Sequence, residues 1–222
     1  VNPDSAMFND ASNRNLLATL ASYSGSREDT EWAARIGFDW ILSDDTLVYT
    51  SWNRGVKTSG YNAPIFPLAP PNDYNDATLS FDPEVVDAFE VGIKLSTSDG
   101  RARLNAAMYY NDFDNYQAFT ISGLDTLLKN STADSKGFEV ELMSNPTDGL
   151  DILLGVAYNE TDLTLEDGFR TIPVQSPKWN ANAMVRYEWA LASGATVALQ
   201  GDMHYRSKHI FALTNLPVNR ED

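Results

Sequence analysis

The stretch Phe89-Glu90-Val91-Gly92-Ile93-Lys94-Leu95-Ser96 places every apolar side chain at an odd position and every polar residue or glycine at an even position. Because successive side chains of a β-strand point to opposite faces, the stretch predicts a strand with one apolar and one polar face. The same alternation returns in Phe138-Glu139-Val140-Glu141-Leu142 and, less regularly, between Trp179 and Trp189. Repeated two-faced strands are typical of a transmembrane β-barrel, which is apolar outside and polar inside.

Composition excludes several other classes of protein. The 222 residues include 31 acidic and 16 basic side chains, and the formal charge of −15 argues against nucleic acid as a partner. The absence of cysteine excludes a disulfide scaffold and a thiolate metal site. No apolar run approaches the roughly 20 residues that a membrane-spanning helix requires, so helical insertion is excluded.

The hydrophobic pattern predicts an all-β fold, an antiparallel transmembrane β-barrel segment of about eight long strands with short periplasmic turns and long extracellular loops. We assign the whole chain, residues 1–222, to this one domain. Short turns are expected near residues 43–45, 97–100, 145–149 and 192–194, and long connections at 59–83, 119–131 and 164–177. Residues 1–29 are expected to form a loop. The predicted strands are 31–42, 46–57, 85–96, 101–117, 133–144, 150–163, 178–190 and 195–207.

Four tryptophans fall on the apolar face of their strands, namely Trp32, Trp40, Trp179 and Trp189. Trp40 and Trp189 precede short turns, and the other two lie at the far ends of the same strands. From Trp179 to Trp189 a strand rises about 33 Å, which projects to roughly 25 Å at a tilt of ~40°. That is the height of the apolar band of an outer-membrane barrel, so these residues are candidate membrane-girdle aromatics.

Neither end of the chain looks like a natural terminus. Val1-Asn2-Pro3-Asp4 has neither the charged start nor the apolar core of a signal peptide, and the last residues are polar. We therefore expect the 222 residues to be an internal part of a longer protein.

Five motifs occur in a fixed order between residues 49 and 179. The first is Tyr49-Thr50-Ser51-Trp52-Asn53-Arg54-Gly55-Val56-Lys57, which continues to Gly60-Tyr61-Asn62. The second is Pro83-Glu84 followed by Glu90-Val91-Gly92-Ile93-Lys94, and the third spans residues 104–117. The fourth is Ser135-Lys136-Gly137-Phe138-Glu139-Val140-Glu141-Leu142, preceded by Asn130, and the fifth is Pro177-Lys178-Trp179. In this order and spacing they resemble the barrel of TonB-dependent outer-membrane receptors, although Ser59 stands where the first of two glycines is expected.

The resemblance implies a 22-stranded barrel in the bacterial outer membrane, closed by an N-terminal plug. Such receptors import scarce nutrients with energy from an inner-membrane complex. The implied partners are outer-membrane lipid, a transported small-molecule ligand, the plug domain and the energy-coupling TonB protein. This chain holds about eight strands, and neither a plug nor a segment for contacting TonB (a TonB box) is recognised in it.

Nine charged residues are predicted to face the lumen: Arg35, Asp39, Glu90, Lys94, Arg103, Glu139, Glu141, Arg186 and Glu188. They could form a ligand site, or a wall network in which charges pair with each other, with water and with the plug. We favour the wall network. No catalytic residue, cofactor or metal site is predicted. Nothing in the sequence sets the distance between the carboxylates of Glu90 and Glu139, which a catalytic pair would need. The two histidines are five residues apart, so in a strand they point to opposite faces, a poor arrangement for a shared metal ion.

The loops leave two further questions open. Acidic residues cluster near residues 73–87 and 112–125, and Ca²⁺ favours oxygen-rich loops, but the spacing matches no known calcium loop. Aromatic residues of the same loops could stack on sugars or chelator rings, or simply pack the rim.

The predicted function is therefore part of an outer-membrane receptor, without catalysis, that binds and imports an iron chelate, cobalamin or a glycan. The alternatives are a soluble all-β carbohydrate-binding module and a complete small eight-stranded barrel. Strands as long as 101–117 argue against a sandwich, whose strands usually run to 5–6 residues.

Overall fold

A computed structural model describes residues 24–64, 75–122, 125–211 and 220–221. Its regular structure is almost entirely β-strand, with one four-residue helix. The eight long strands are β1 (Ala34–Ser43), β2 (Thr46–Lys57), β5 (Glu84–Ser96), β6 (Ala102–Ser122), β7 (Asp125–Ser144), β8 (Leu150–Thr164), β10 (Trp179–Ala190) and β11 (Thr196–Arg206). The short elements are β3 (Gly60–Tyr61), α1 (Asp76–Leu79), β4 (Ser80–Phe81), β9 (Arg170–Thr171), β12 (His209–Ile210) and β13 (Arg220–Glu221).

The long strands form one antiparallel sheet in the order β1-β2-β5-β6-β7-β8-β10-β11, so each long strand pairs with the next long strand along the chain. The predicted fold class is confirmed. In the described part of the chain the sheet ends at β1 and β11 and does not close on itself. Within the same residues, no helix is both long enough and apolar enough to cross a membrane.

The predicted loop over residues 119–131 is wrong. β6 continues to Ser122 and β7 begins at Asp125, so the two strands extend together as a hairpin well past the point where β5 stops pairing. A bulge between Phe113 and Tyr116, with Asn115 at a φ of 56°, interrupts the alternation of faces. Pairing across the bulge, which no single-strand pattern reveals, keeps the hairpin extended.

The other expected loops also contain short paired segments. β3 pairs with β4 inside the region 59–83, and β9 pairs with the end of β8 inside 164–177. The first strand begins at Ala34 rather than at residue 31, and residues 24–33 carry no regular structure. The predicted loop over residues 1–23 lies outside the described residues.

The short turns join the strands at one end of the sheet and are bonded to each other. Gly100, Gly149 and Gly194 adopt positive φ in three of these turns, a conformation that glycine reaches without steric cost. Main-chain hydrogen bonds then link successive turns, from Asn145 N–H to Arg101 C=O at 2.7 Å and from Glu188 N–H to Gly149 C=O at 2.8 Å. This end of the sheet is therefore a continuous hydrogen-bonded rim.

Apolar side chains are mostly exposed rather than buried. Phe38, Met108 and Leu199 expose 58%, 63% and 68% of their surface. Five of the six buried apolar residues of the described chain form two small clusters, Leu79 with Leu127 and Ala118 with Ala133 and Leu163; the sixth is Val85. Both clusters lie at the end of the sheet opposite the short turns. The long strands therefore carry an apolar surface that no part of the described chain covers.

Candidate functional site

The pairing register defines the two faces of the sheet. Residues directly opposite each other on antiparallel strands share a face, so the register can be followed from strand to strand. One row runs through Asp39, Tyr49, Gly92, Ala107, Glu139, Ala157, Asn180 and Arg206. The neighbouring row on the other face runs through Trp40, Val48, Ile93, Ala106, Val140, Val156, Ala181 and Tyr205. We call these the polar face and the apolar face.

All nine charged residues singled out in the sequence lie on the polar face, but the structure joins only some of them. Arg186 contacts Asp151 at 3.7 Å and Glu188 at 2.5 Å, and Asp151 was not among the predicted residues. Lys94 lies 5.6 Å from the ring centroid of Tyr49. Glu90, Glu139 and Glu141 form no ion pair with any residue that the structure describes.

A hydrogen-bonded group of neutral side chains lies on the polar face toward the long loops. The Tyr109 and Ser135 hydroxyls donate to Asn159 Oδ1 at 3.0 and 2.8 Å. Asn159 Nδ2 donates to Thr161 Oγ1 at 3.1 Å and to Ser176 Oγ at 3.0 Å. Because these residues lie on β6, β7, β8 and the loop before β10, only the register could reveal the group.

Two tyrosines on the polar face lie flat over glycines of the neighbouring strand. A Cβ atom at Gly92 would be 2.4 Å from the ring of Tyr49, and one at Gly137 would be 2.5 Å from the Tyr109 hydroxyl. Each glycine is the direct cross-strand partner of its tyrosine. Glycine at these positions lets a large side chain lie against the wall instead of projecting from it.

The two glutamates considered as a catalytic pair lie far apart. Glu90 and Glu139 lie on β5 and β7, with the whole of β6 between them and two residues between their rows, so their backbones are roughly 12 Å apart at the usual strand spacing and rise. No three His, Asp or Glu side chains of the described chain come together as metal ligands.

Side-chain amides fasten the loop after β2 to the long hairpin. Asn62 Nδ2 donates to Leu128 C=O at 2.9 Å, and Asn62 Oδ1 accepts from Leu128 N–H at 2.7 Å. The Asn130 side chain on the hairpin pairs in the same way with the main chain of Asp82 in the loop. It accepts from the Asp82 N–H at 2.6 Å and donates to the Asp82 C=O at 3.0 Å. Gln117, which is buried, donates to Thr58 C=O at 2.9 Å. The loop is thus held against both strands of the hairpin.

The apolar face carries Trp40 on β1 and Trp179 and Trp189 on β10, and its alternation extends to Trp32 two residues before β1. The register adds Trp52, which is not among the predicted girdle aromatics, because Trp52 pairs with Ile36 and Phe89. Trp52 Nε1 donates to Asp87 at 2.9 Å, and Arg54 pairs with the same carboxylate at 2.6 Å beneath the ring of Trp32. Aromatic rings here cover a polar group, as they do at membrane interfaces.

Solved structures with the same fold include two receptors. The ferric yersiniabactin uptake receptor FyuA of Yersinia pestis matches with a TM-score of 0.64 and 22% identity, over 81% of this chain and 26% of that one. The ferripyoverdine receptor of the outer membrane of Pseudomonas aeruginosa matches with a TM-score of 0.61 and 19% identity, over 88% of this chain and 25% of that one. These likenesses establish the fold.

Sequence comparison leads to the same group of proteins. The pesticin receptor of Yersinia enterocolitica is 31% identical over 121 residues, which cover 53% of this chain and 16% of the receptor. The chain therefore spans only a small part of the relatives that it matches. The family model described as TonB dependent receptor-like, beta-barrel, matches residues 8–213. The chain belongs to the TonB-dependent receptor β-barrel family.

Proposed function

We propose that this chain is a wall section of an outer-membrane receptor that binds and imports an iron chelate. Members of the family are outer-membrane β-barrel receptors of Gram-negative bacteria, and they are transporters rather than enzymes. The observation that carries the proposal is a sheet with one polar and one apolar face, bounded by tryptophans, that lies within the family match.

The iron chelate is chosen among the nutrients that the family resemblance implied because of the named relatives. Two of the matching structures are receptors for ferric yersiniabactin and ferripyoverdine, both of which are iron chelates. No comparable support favours cobalamin or a glycan for this chain. The soluble carbohydrate-binding module is set aside, because the family match covers residues 8–213 and the apolar face of the sheet is exposed.

The polar face supports a role as the inner wall. Glu90, Glu139 and Glu141 lack ion-pair partners among the described residues, and carboxylates in a confined lumen need compensating charge or hydrogen bonds. We assign that compensation to cationic side chains of the plug domain in the full-length receptor. Arg186, which already contacts Asp151 and Glu188, belongs to a pairing network of the wall itself.

Binding to the purified full-length receptor tests the proposed substrate class. The probes are ferric catecholate, hydroxamate and phenolate chelates, with cobalamin and a maltodextrin as competitors of other classes. Saturable binding of one ferric chelate class, unaffected by the metal-free chelator at equal concentration, supports the proposal. Binding of cobalamin or maltodextrin alone, or of none of the probes, contradicts it.

A further inference from the structure

Lys136 on the apolar face and Lys178, the residue before β10, share one carboxylate. Lys178 Nζ lies 2.7 Å from Glu160 Oε1, and Lys136 Nζ lies 3.6 Å from Glu160 Oε2. The three residues come from β7, β8 and the residue before β10: the register pairs Lys136 with Glu160, and the side chain of Lys178 reaches the same carboxylate.

The lysines border a cluster of aromatic rings. Phe138, Tyr158 and Trp179 lie in direct cross-strand register on the apolar face, with ring centroids 4.8 to 5.9 Å apart. Lys136 and Glu160 lie two residues further along the same strands, toward the long loops, which is roughly 7 Å at the usual rise. Aromatic belts mark the boundary between hydrocarbon and head groups, so the ammonium groups lie at head-group depth.

The charge balance at this depth favours an anion. Two ammonium groups against one carboxylate leave one positive charge in the triplet, and the lysine side chains are 56% and 50% exposed. Each ammonium has three N–H donors, so donors remain after pairing with Glu160. Asp162 is itself paired with Arg170 at 3.6 Å, and Asp134 lies two residues beyond Lys136, further from the aromatic cluster.

We propose that Lys136 and Lys178 bind the phosphate of a lipid in the outer leaflet of the outer membrane, with the lipid body lying against Phe138, Tyr158 and Trp179. Long lysine side chains present their charge to head groups while their carbon stems remain on the apolar surface. This inference rests on the orientation of the sheet in the membrane and is independent of the imported nutrient.

The test uses the full-length receptor in detergent, titrated by native mass spectrometry with lipid A carrying both phosphates or with dephosphorylated lipid A. We expect tighter binding of the phosphorylated form. The double variant Lys136→Gln/Lys178→Gln should bind that form about 30-fold more weakly, since each lysine near an anionic lipid contributes roughly a factor of five. The charge-matched control is Lys57→Gln/Lys94→Gln, which changes polar-face positions and should bind as the wild type does.

Asp134→Asn is the complementary variant, because it removes a nearby negative charge without touching either lysine and should strengthen binding. A shift of band mobility on unheated gels verifies that each variant is folded. Equal binding of both lipid forms by the wild type would overturn the proposal. Equal binding of the phosphorylated lipid by the double variant and its control would overturn it as well.

Discussion

Trp32 and Trp179 lie on the same face of the sheet, six strand-to-strand steps apart. The row of paired residues that starts at Trp179 reaches β1 at Phe38, six residues from Trp32. With strands ~4.8 Å apart and tilted by ~40°, six steps change the height by about 18 Å, and six residues along a strand change it by about 15 Å. The tilt of a barrel therefore brings the two tryptophans to nearly one level.

The same tilt brings Trp40 and Trp189 to a second level. The row of paired residues that passes through Trp40 reaches β10 at Ala181, eight residues from Trp189. Eight residues along a strand change the height by about 20 Å, and the six strand-to-strand steps again change it by about 18 Å. Two independent pairs agree with one tilt in one direction, within the 35–45° range of outer-membrane barrels. The agreement supports a lipid-facing role for the apolar face.

Two neighbouring alanines of β6 lie on opposite faces of the sheet, so substitutions at these positions test the assignment of the faces. Ala106 pairs with Ile93 and Val140 on the apolar face, whereas Ala107 pairs with Gly92 and Glu139 on the polar face. We expect Ala106→Arg to destabilise the full-length receptor by about 2–4 kcal/mol, because a charge in mid-bilayer is desolvated. Ala107→Arg, next to a carboxylate, should cost much less. Denaturant unfolding in lipid vesicles measures both, and equal losses would contradict the assignment of the faces.

Gly137 should not tolerate a side chain. A Cβ atom there would be 2.1 Å from the main-chain oxygen of Tyr158 and would press on the hydroxyl of Tyr109. Since the main chain cannot move aside cheaply, we expect Gly137→Ala to lower the free energy of unfolding by about 1–3 kcal/mol. Gly37→Ala is the control, because its Cβ would meet only ordinary contacts of 3.7 and 3.8 Å. A stability of Gly137→Ala equal to that of the control would refute the close packing of Tyr109.

Asn62 should control the motion of the loop after β2. Asn62→Ala leaves the N–H and C=O of Leu128 without their side-chain partner. We expect amide exchange at Leu128 to accelerate about 10-fold, which corresponds to a loss of about 1.4 kcal/mol. Asn53→Ala, whose amide donates to Ser51 two residues away, serves as the control. Unchanged exchange at Leu128 would show that the clamp contributes nothing.

The stability of the turn between β5 and β6 should depend on pH because of Asp99. Hydrogen bonds from the Thr97 hydroxyl and the Arg101 N–H hold the pKa of Asp99 below its ordinary value of 3.8. A depressed carboxylate pKa stabilises the folded state at pH above the ordinary value, and the effect is lost as the pH falls through the depressed pKa. Amide exchange at Ala102 should therefore be faster in Asp99→Asn than in wild type at pH 6. As the pH falls through the depressed pKa of Asp99 the two should converge, and a difference that persists once the carboxyl is protonated would contradict this account.

Much of the sheet was predictable because a period of two is visible in a single strand. Six of the eight long strands lie within about three residues of their predicted bounds, whereas β6 and β7 extend much further. The extension escaped prediction because the bulge at Asn115 breaks the alternation, and only pairing with the other strand restores it. Trp52 was missing from the predicted girdle aromatics for a related reason, since its face is decided by its partners Ile36 and Phe89.

The functional arrangement was less predictable than the strands. Alternation alone places Glu90 and Arg186 on one face, but it does not tell which charges meet. The contacts of Lys136 and Lys178 with Glu160, and of Asn62 with Leu128, join residues from different strands or loops. Such contacts depend on register and loop path, which no local pattern encodes.

The central claim, that the apolar face meets lipid with its tryptophans at two levels, is tested most directly by the depth of spin labels. The 222 residues contain no cysteine, so a labelled cysteine that replaces Trp32, Trp179, Trp40 or Trp189 is the single labelling site of this section; each is tested in the full-length receptor in bilayers, with any cysteine outside the section replaced by serine. Oxygen and a water-soluble nickel complex then report depth. We predict labels 32 and 179 at one interface and 40 and 189 at the other, roughly 25 Å away. Labels 32 and 179 at depths about 15 Å apart, or four labels accessible only to the nickel complex, would contradict the claim.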